Sequence, residues 1–170
     1  HLYYQNREFK KYLMLRKISI ALVVILSINS GVLFANVLGW NVENINNQQG
    51  SIGRWLKVNL PDEKAFGMND IGMITYINKK YVVDMAGLVT PEVFKFQKMS
   101  YEDGTRALFR FLKEKGVNYI IIYPDWYDYI MNNYSKAFEH VYSAKLENNT
   151  ICGGIEMFVY KINWDKIPLE

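Results

Sequence analysis

At 170 residues the chain is long enough for one compact domain and an appendage, and too short for two full domains. Its 20 basic and 17 acidic residues leave a net +3, far from the clustered basic stripe of a nucleic-acid binder, so nucleic acid is not an expected partner. One cysteine, Cys152, and two histidines, His1 and His140, exclude intramolecular disulfides and zinc sites of the Cys/His type.

The first segment, 1–17, is a basic flank carrying Arg7, Lys10, Lys11, Arg16 and Lys17. The run that follows, ISIALVVILSINSGVLFANVLGW over 18–40, contains no charged residue. As a helix at 1.5 Å per residue it covers the roughly 30 Å hydrocarbon core of a bilayer. Trp40 closes it with a side chain suited to the membrane interface. A buried core helix of this length needs a larger protein around it, and no small-residue cleavage site marks a signal peptide. The reading is a transmembrane helix. Basic residues before it and none directly after place the N-terminal side in the cytoplasm, with 41–170 as an extracytoplasmic domain of the cell membrane. A helix that begins inside, with further chain before it, is expected to be the last span of a larger membrane protein.

From about residue 45 the pattern changes. Ile45, Ile52, Trp55 and Leu56 share one helical face, and Pro61 closes the segment. A short strand over 64–68 leads through Asn69-Asp70 into a helical turn to Ile77, and 81–84 reads as a second buried strand. Thr90 is the expected cap, and Pro91 the first residue, of the next helix. Ser100 and Asp103 form a capping-box variant at the start of a helix that ends at Gly116 and puts Tyr101, Leu108, Phe111 and Leu112 on one side. Val117 to Tyr123 is nearly continuous apolar, hence a strand buried on both faces. Pro124-Asp125 restarts a helix to about Tyr134. Strands near 138–146 and 155–162 follow, joined by a turn-rich segment, as an antiparallel hairpin. The predicted fold is a small α/β sandwich of Rossmann-like type, its sheet mainly parallel with an antiparallel edge hairpin, preceded by the transmembrane helix.

Chemistry concentrates in MNDIGMITYINKKYVVDMAGL, 68–88. Asp70 and Asp84 fall at carboxyl ends of strands, where open α/β sheets bind ligands. Two carboxylates there could hold a divalent cation or act as acid and base. They could equally be structural, Asp70 capping the amides of Gly72 or Met73 and Asp84 tying the turn before Gly87. The glycine spacing of a dinucleotide fingerprint is absent from 67–72, and Met73 stands where a phosphate loop requires lysine. Thiol catalysis would need Cys152 with His140, around which no activating motif is found. No cofactor and no metal is expected.

Asn69-Asp70-Ile71-Gly72, Tyr76, Val82-Val83-Asp84-Met85-Ala86-Gly87-Leu88 and Pro91-Glu92 together resemble a pattern in GT-C-type glycosyltransferase-like polytopic membrane proteins. These carry a soluble domain after their last span, and the resemblance covers about 45–125 and the preceding span. It implies sugar transfer from a lipid-phosphate donor by the full protein on the outer face. It also implies a catalytic carboxylate in an early loop outside this chain. The fragment is then a non-catalytic accessory domain that binds an acceptor or a lipid-linked sugar, or braces the membrane core. Its partners are membrane lipid and a lipid-linked sugar or glycan acceptor. Asn69, Asp70, Tyr76, Asp84 and Glu92 are the candidate ligand-binding residues. Two other readings stay open: a single-span surface protein that binds or senses, and a metal-dependent enzyme using Asp70 and Asp84.

Overall fold

The computed structural model describes residues 2–169, with side chains from Phe9 onward, so Arg7 of the basic flank falls outside the described side chains. The chain divides into two compact units between Trp40 and Asn41. In the first, the apolar run belongs to a longer helix, α1 (Leu2–Ile45). Its 44 residues make about 66 Å at 1.5 Å each, twice the span of a bilayer core. The basic flank is therefore helical too, because nothing in it breaks a helix before the apolar residues begin. Side chains such as Leu22, Leu26, Leu33 and Phe34 are exposed all round α1. The helix is long and apolar enough to cross a membrane, and in water this surface would be costly.

The second unit opens on the last residues of α1, a π-helical segment (Asn46–Gly50) and α2 (Ser51–Asn59). Then come β1 (Ala65–Met68), α3 (Gly72–Asn78), β2 (Tyr81–Asp84), α4 (Pro91–Phe96), α5 (Tyr101–Glu114) and β3 (Tyr119–Ile122). A 3₁₀ turn (Pro124–Trp126), α6 (Asp128–Tyr134), β4 (Phe138–Lys145) and β5 (Glu156–Ile162) complete it. The five strands form one sheet in the order β2-β1-β3-β5-β4. β1 pairs in parallel with β2 and β3, while β5 runs antiparallel to β3 and β4 antiparallel to β5. The class is α/β with a mixed sheet. The tail hairpin docks through its second strand, so half of the ladders are antiparallel where a mainly parallel sheet is expected.

Alternation along the strands separates two cores. Ala65, Ile120, Ile122 and Tyr160 face Val93, Leu108, Phe109, Leu112 and Ile130 from α4, α5 and α6. Phe66, Met68, Ile121, Met157 and Val159 face Ile52, Leu56 and Ile74 from α2 and α3. Every residue of β1 and β3 is buried, as apolar runs covered on both faces require.

Local signals explain most boundaries. Ser100 Oγ accepts from the Asp103 amide at 3.1 Å and donates to the Asp103 carboxylate at 2.7 Å. Aspartate is too short to reach back to the cap amide, so it takes the hydroxyl instead. Gly116 ends α5 with φ +70°, a conformation glycine adopts freely. Tyr101 does not join the buried face of α5: it is exposed at the helix start, and Phe109 takes the core position. Thr90 precedes α4 without a side-chain cap, because its Oγ1 accepts from the Asp84 amide at 3.0 Å.

Candidate functional site

The chain runs from β1 to β2 on one side of the sheet and then to β3 on the other side of β1. Such a reversal opens a crevice at the carboxyl ends of the two strands that flank it, here β1 and β3. Asn69 and Asp70 follow β1, and Tyr123 follows β3. The π-helical segment brings two glutamines to the same place. Gln49 Nε2 donates to Asp70 Oδ2 and, at 3.4 Å, to Tyr123 Oη. The Tyr123 hydroxyl donates to Gln48 Oε1 at 2.8 Å. Gln48 Nε2 in turn donates to the carbonyls of Gly154 and Ile155, both at 3.1 Å, riveting the β4–β5 loop. Both glutamines are buried.

A π turn places an extra residue in the helix, and such turns are frequent at functional sites. Here it lets neighbouring glutamines serve different partners. Arg54 supports the distortion by donating to the Asn46 carbonyl and side-chain oxygen, each at 3.1 Å. Burial pushes the Asp70 carboxyl above the usual carboxylate range, opposed by the bond from Gln49. Tyr123 is pushed up to about 12, first by burial and then by the nearby Asp70 charge, with the bond from Gln49 opposing. Cys152 is raised by burial and by Asp70, which keeps its thiol protonated and unreactive at neutral pH. His140 lies on β4, its ring against Phe158 and Tyr160.

Asp84 is settled differently. It is 1 % exposed, and its two oxygens accept from the amides of Ala86 and Val89, each at 2.9 Å. This is the turn tie anticipated from sequence. The cap anticipated for Asp70 is absent: α3 starts at Gly72 with Ile71 before it and no side-chain cap. Parallel pairing sets Asp84 beside Met68, yet the two carboxylates bond to different partners. Among the described residues, no three His, Cys, Asp or Glu side chains are grouped to hold a metal ion.

Asn69 is 8 % exposed, and neither amide atom of its side chain has a protein partner. A buried polar group in that condition requires a reason. The alternation of β1, carried one residue past Met68, puts Asn69 on the side of Ala65 and Gly67, the side covered by α4, α5 and α6. There a cleft of about 910 Å³ opens between α4, α5 and the Pro124–Ile130 segment. Tyr101, Trp126, Tyr127 and Tyr129 line it together with Asp125 and Asp128. Tyr101 and Tyr129 stack with ring centroids 5.8 Å apart. Gly104 lets α5 approach α4 so closely that a β-carbon there would lie 2.4 Å from the Phe96 carbonyl oxygen.

Of the residues singled out by sequence, Asn69, Asp70 and Asp84 come to the carboxyl edge of the sheet. Tyr76 lies on α3 and is 77 % exposed, and Glu92 is exposed in the first turn of α4. The residues missed are Gln48, Gln49, Tyr123 and the cleft aromatics. The signal for the cleft was present in Pro124-Asp125-Trp126-Tyr127-Asp128-Tyr129, where aromatic and acidic side chains alternate with unusual density.

Residues 41–161 match the model of a domain of unknown function, DUF8728, and the chain belongs to that family. No curated protein and no solved structure matches the chain.

Proposed function

We propose that the chain is a membrane-tethered, extracytoplasmic domain that binds a saccharide, lipid-linked or part of a glycan acceptor, as a non-catalytic accessory of a GT-C-type glycosyltransferase-like membrane protein. On this reading α1 spans the bilayer through 18–40, with Lys10, Lys11, Arg16 and Lys17 on the cytoplasmic side. The 41–170 unit is a small Rossmann-like sandwich whose ligand sits at the carboxyl edge of its sheet.

The observation that carries the proposal is the composition of the cleft. Aromatic faces offer flat apolar platforms for the C–H faces of sugar rings, while carboxylates accept hydrogen bonds from hydroxyl groups. Apolar walls with a few placed polar groups are the usual build of a small-molecule site. The Asp84 tie fixes the loop ahead of α4, which forms one wall.

The test is binding of free oligosaccharides and of a polyprenyl-phosphate-linked saccharide to the full chain in detergent, read by calorimetry. Saturable binding weakened about tenfold or more by Trp126→Ala or Tyr101→Ala is expected, the size of a lost stacking contact at a binding centre. Absence of binding across both ligand classes overturns the reading.

A further inference from the structure

The exposed apolar side chains of the 41–170 unit are unevenly placed. Leu88 is 87 % exposed and Val89 63 % in the β2–α4 loop, and Trp126 is 56 % exposed after β3. Ile151 and Ile155, each 53 % exposed, lie in the β4–β5 loop. Because β5 pairs antiparallel with β3 and Phe158 lies opposite Ile122, the β4–β5 loop reaches the same edge as the other two loops. The tips therefore stand along the whole carboxyl edge, from β2 at one side of the sheet to the hairpin at the other. In the segments that lead into the amino ends of β1 and β2, Val58, Tyr76 and Tyr81 are comparably bare among the described residues.

The unit also begins at this edge. Asn44, three residues into it, is buried, and its Oδ1 accepts from the Thr150 amide at 2.7 Å and from the Thr150 hydroxyl at 3.2 Å. Asn149 folds the loop by accepting from the Ile151 and Cys152 amides at 3.2 and 2.8 Å. So the loop that displays Ile151 is fastened to the residues that directly follow the apolar run ending at Trp40.

We infer that the carboxyl-edge loops of the 41–170 unit dock onto a phospholipid bilayer surface, with Leu88, Val89, Ile151 and Ile155 entering its interfacial layer. The covalent link argues for lipid as the occupant: a chain leaving a bilayer at Trp40 holds this edge within a few residues of the headgroups. The pattern argues for it too. These are separate apolar tips among polar neighbours, suited to a fluid layer, and not one flat patch suited to a protein surface. Charges of both signs stand at this edge, Asp125 and Lys145 lining one recess with Ile155, so insertion is apolar in origin and does not need anionic lipid. The inference rests on the membrane-spanning part of the proposed function and is independent of its saccharide part.

The test uses the full chain reconstituted in phosphatidylcholine vesicles, in a Cys152→Ser background. Single cysteines at Leu88→Cys, Ile151→Cys, Val58→Cys and Val24→Cys carry an environment-sensitive fluorophore, quenched by lipids bearing nitroxide groups. Quenching at positions 24, 88 and 151, with that at 88 and 151 about threefold or more above that at 58, is the expected result, and it persists in high salt. Quenching at 24 but not at 88 and 151 overturns the docking and leaves the span standing. No quenching at 24 removes the span and the docking with it. A blue-shifted but unquenched fluorophore at 88 and 151 means that protein covers the edge, which also overturns the inference.

Discussion

The turn after β1 and the turn after β2 each place an aspartate at the carboxyl edge of neighbouring parallel strands, and they solve the same problem in opposite ways. Asp84 is held by its own turn, through amides two and five residues ahead. Asp70 is held by Gln49, 21 residues away in sequence, within a network that continues through Tyr123 and Gln48 to the β4–β5 loop. One carboxylate stabilises a loop; the other, half-buried and raised toward neutrality, is held by side chains alone. A strand-end aspartate is therefore not evidence of chemistry until its partners are known.

The comparison breaks most visibly at Asp84. Asp84→Ala leaves the Ala86 and Val89 amides unpaired in a buried turn and is expected to cost roughly 2–5 kcal/mol in a denaturant melt, with Asp84→Asn between it and the native chain. A loss below about 0.5 kcal/mol would show that those amides find other partners. Gln48→Ala comes next, at about 1–3 kcal/mol, because it strips the Tyr123 hydroxyl and the Gly154 and Ile155 carbonyls of a partner together. Faster hydrogen exchange confined to the 146–155 loop and the Tyr123 region is its signature, and unchanged exchange there would remove Gln48 from its riveting role.

Ser100→Ala, which deletes a cap of purely local kind, should cost about 0.5–2 kcal/mol, while Ser100→Asp should be close to neutral. The smallest effect, and the one whose sign matters, belongs to Asp70. Its raised pKa means that the folded chain binds this proton more tightly than the unfolded chain. That contribution is present below the ordinary carboxylate pKa and is lost as pH rises through the raised value. Asp70→Asn, which keeps an acceptor for Gln49, should therefore melt at or above the native temperature at pH 7. Its advantage should vanish near pH 3, below the ordinary carboxylate pKa of about 4. A melting temperature that falls at pH 7 and recovers in acid would reverse the assignment.

The same contrast explains what could be read from the sequence. Asp84's tie, the Ser100 cap, the Gly116 stop, β2 and the tail hairpin depend on neighbours within a few residues, and each is legible as such. The mixed sheet is not, because nothing local says that β5 and not β4 docks on β3. Nor is the Gln49–Asp70 bond, which needs the π-helical segment and the crevice between β1 and β3 to exist first. Asn46-Asn47-Gln48-Gln49 reads as a polar stretch between two apolar ones, and only tertiary structure turns its Gln48 and Gln49 into a buried network. Thr90 fails as a cap for a related reason: its hydroxyl is closer to an amide of the preceding strand than to its own helix.

The two outermost strands carry a consequence of their own. β2 is four residues long, and β4 slips register against β5 between His140 and Tyr142. Each open margin of the sheet is thus either too short or too irregular to template another chain, since strand addition needs an uninterrupted row of free amides and carbonyls. Copies of this unit brought to high local concentration can then crowd together without their sheets zipping into a fibre.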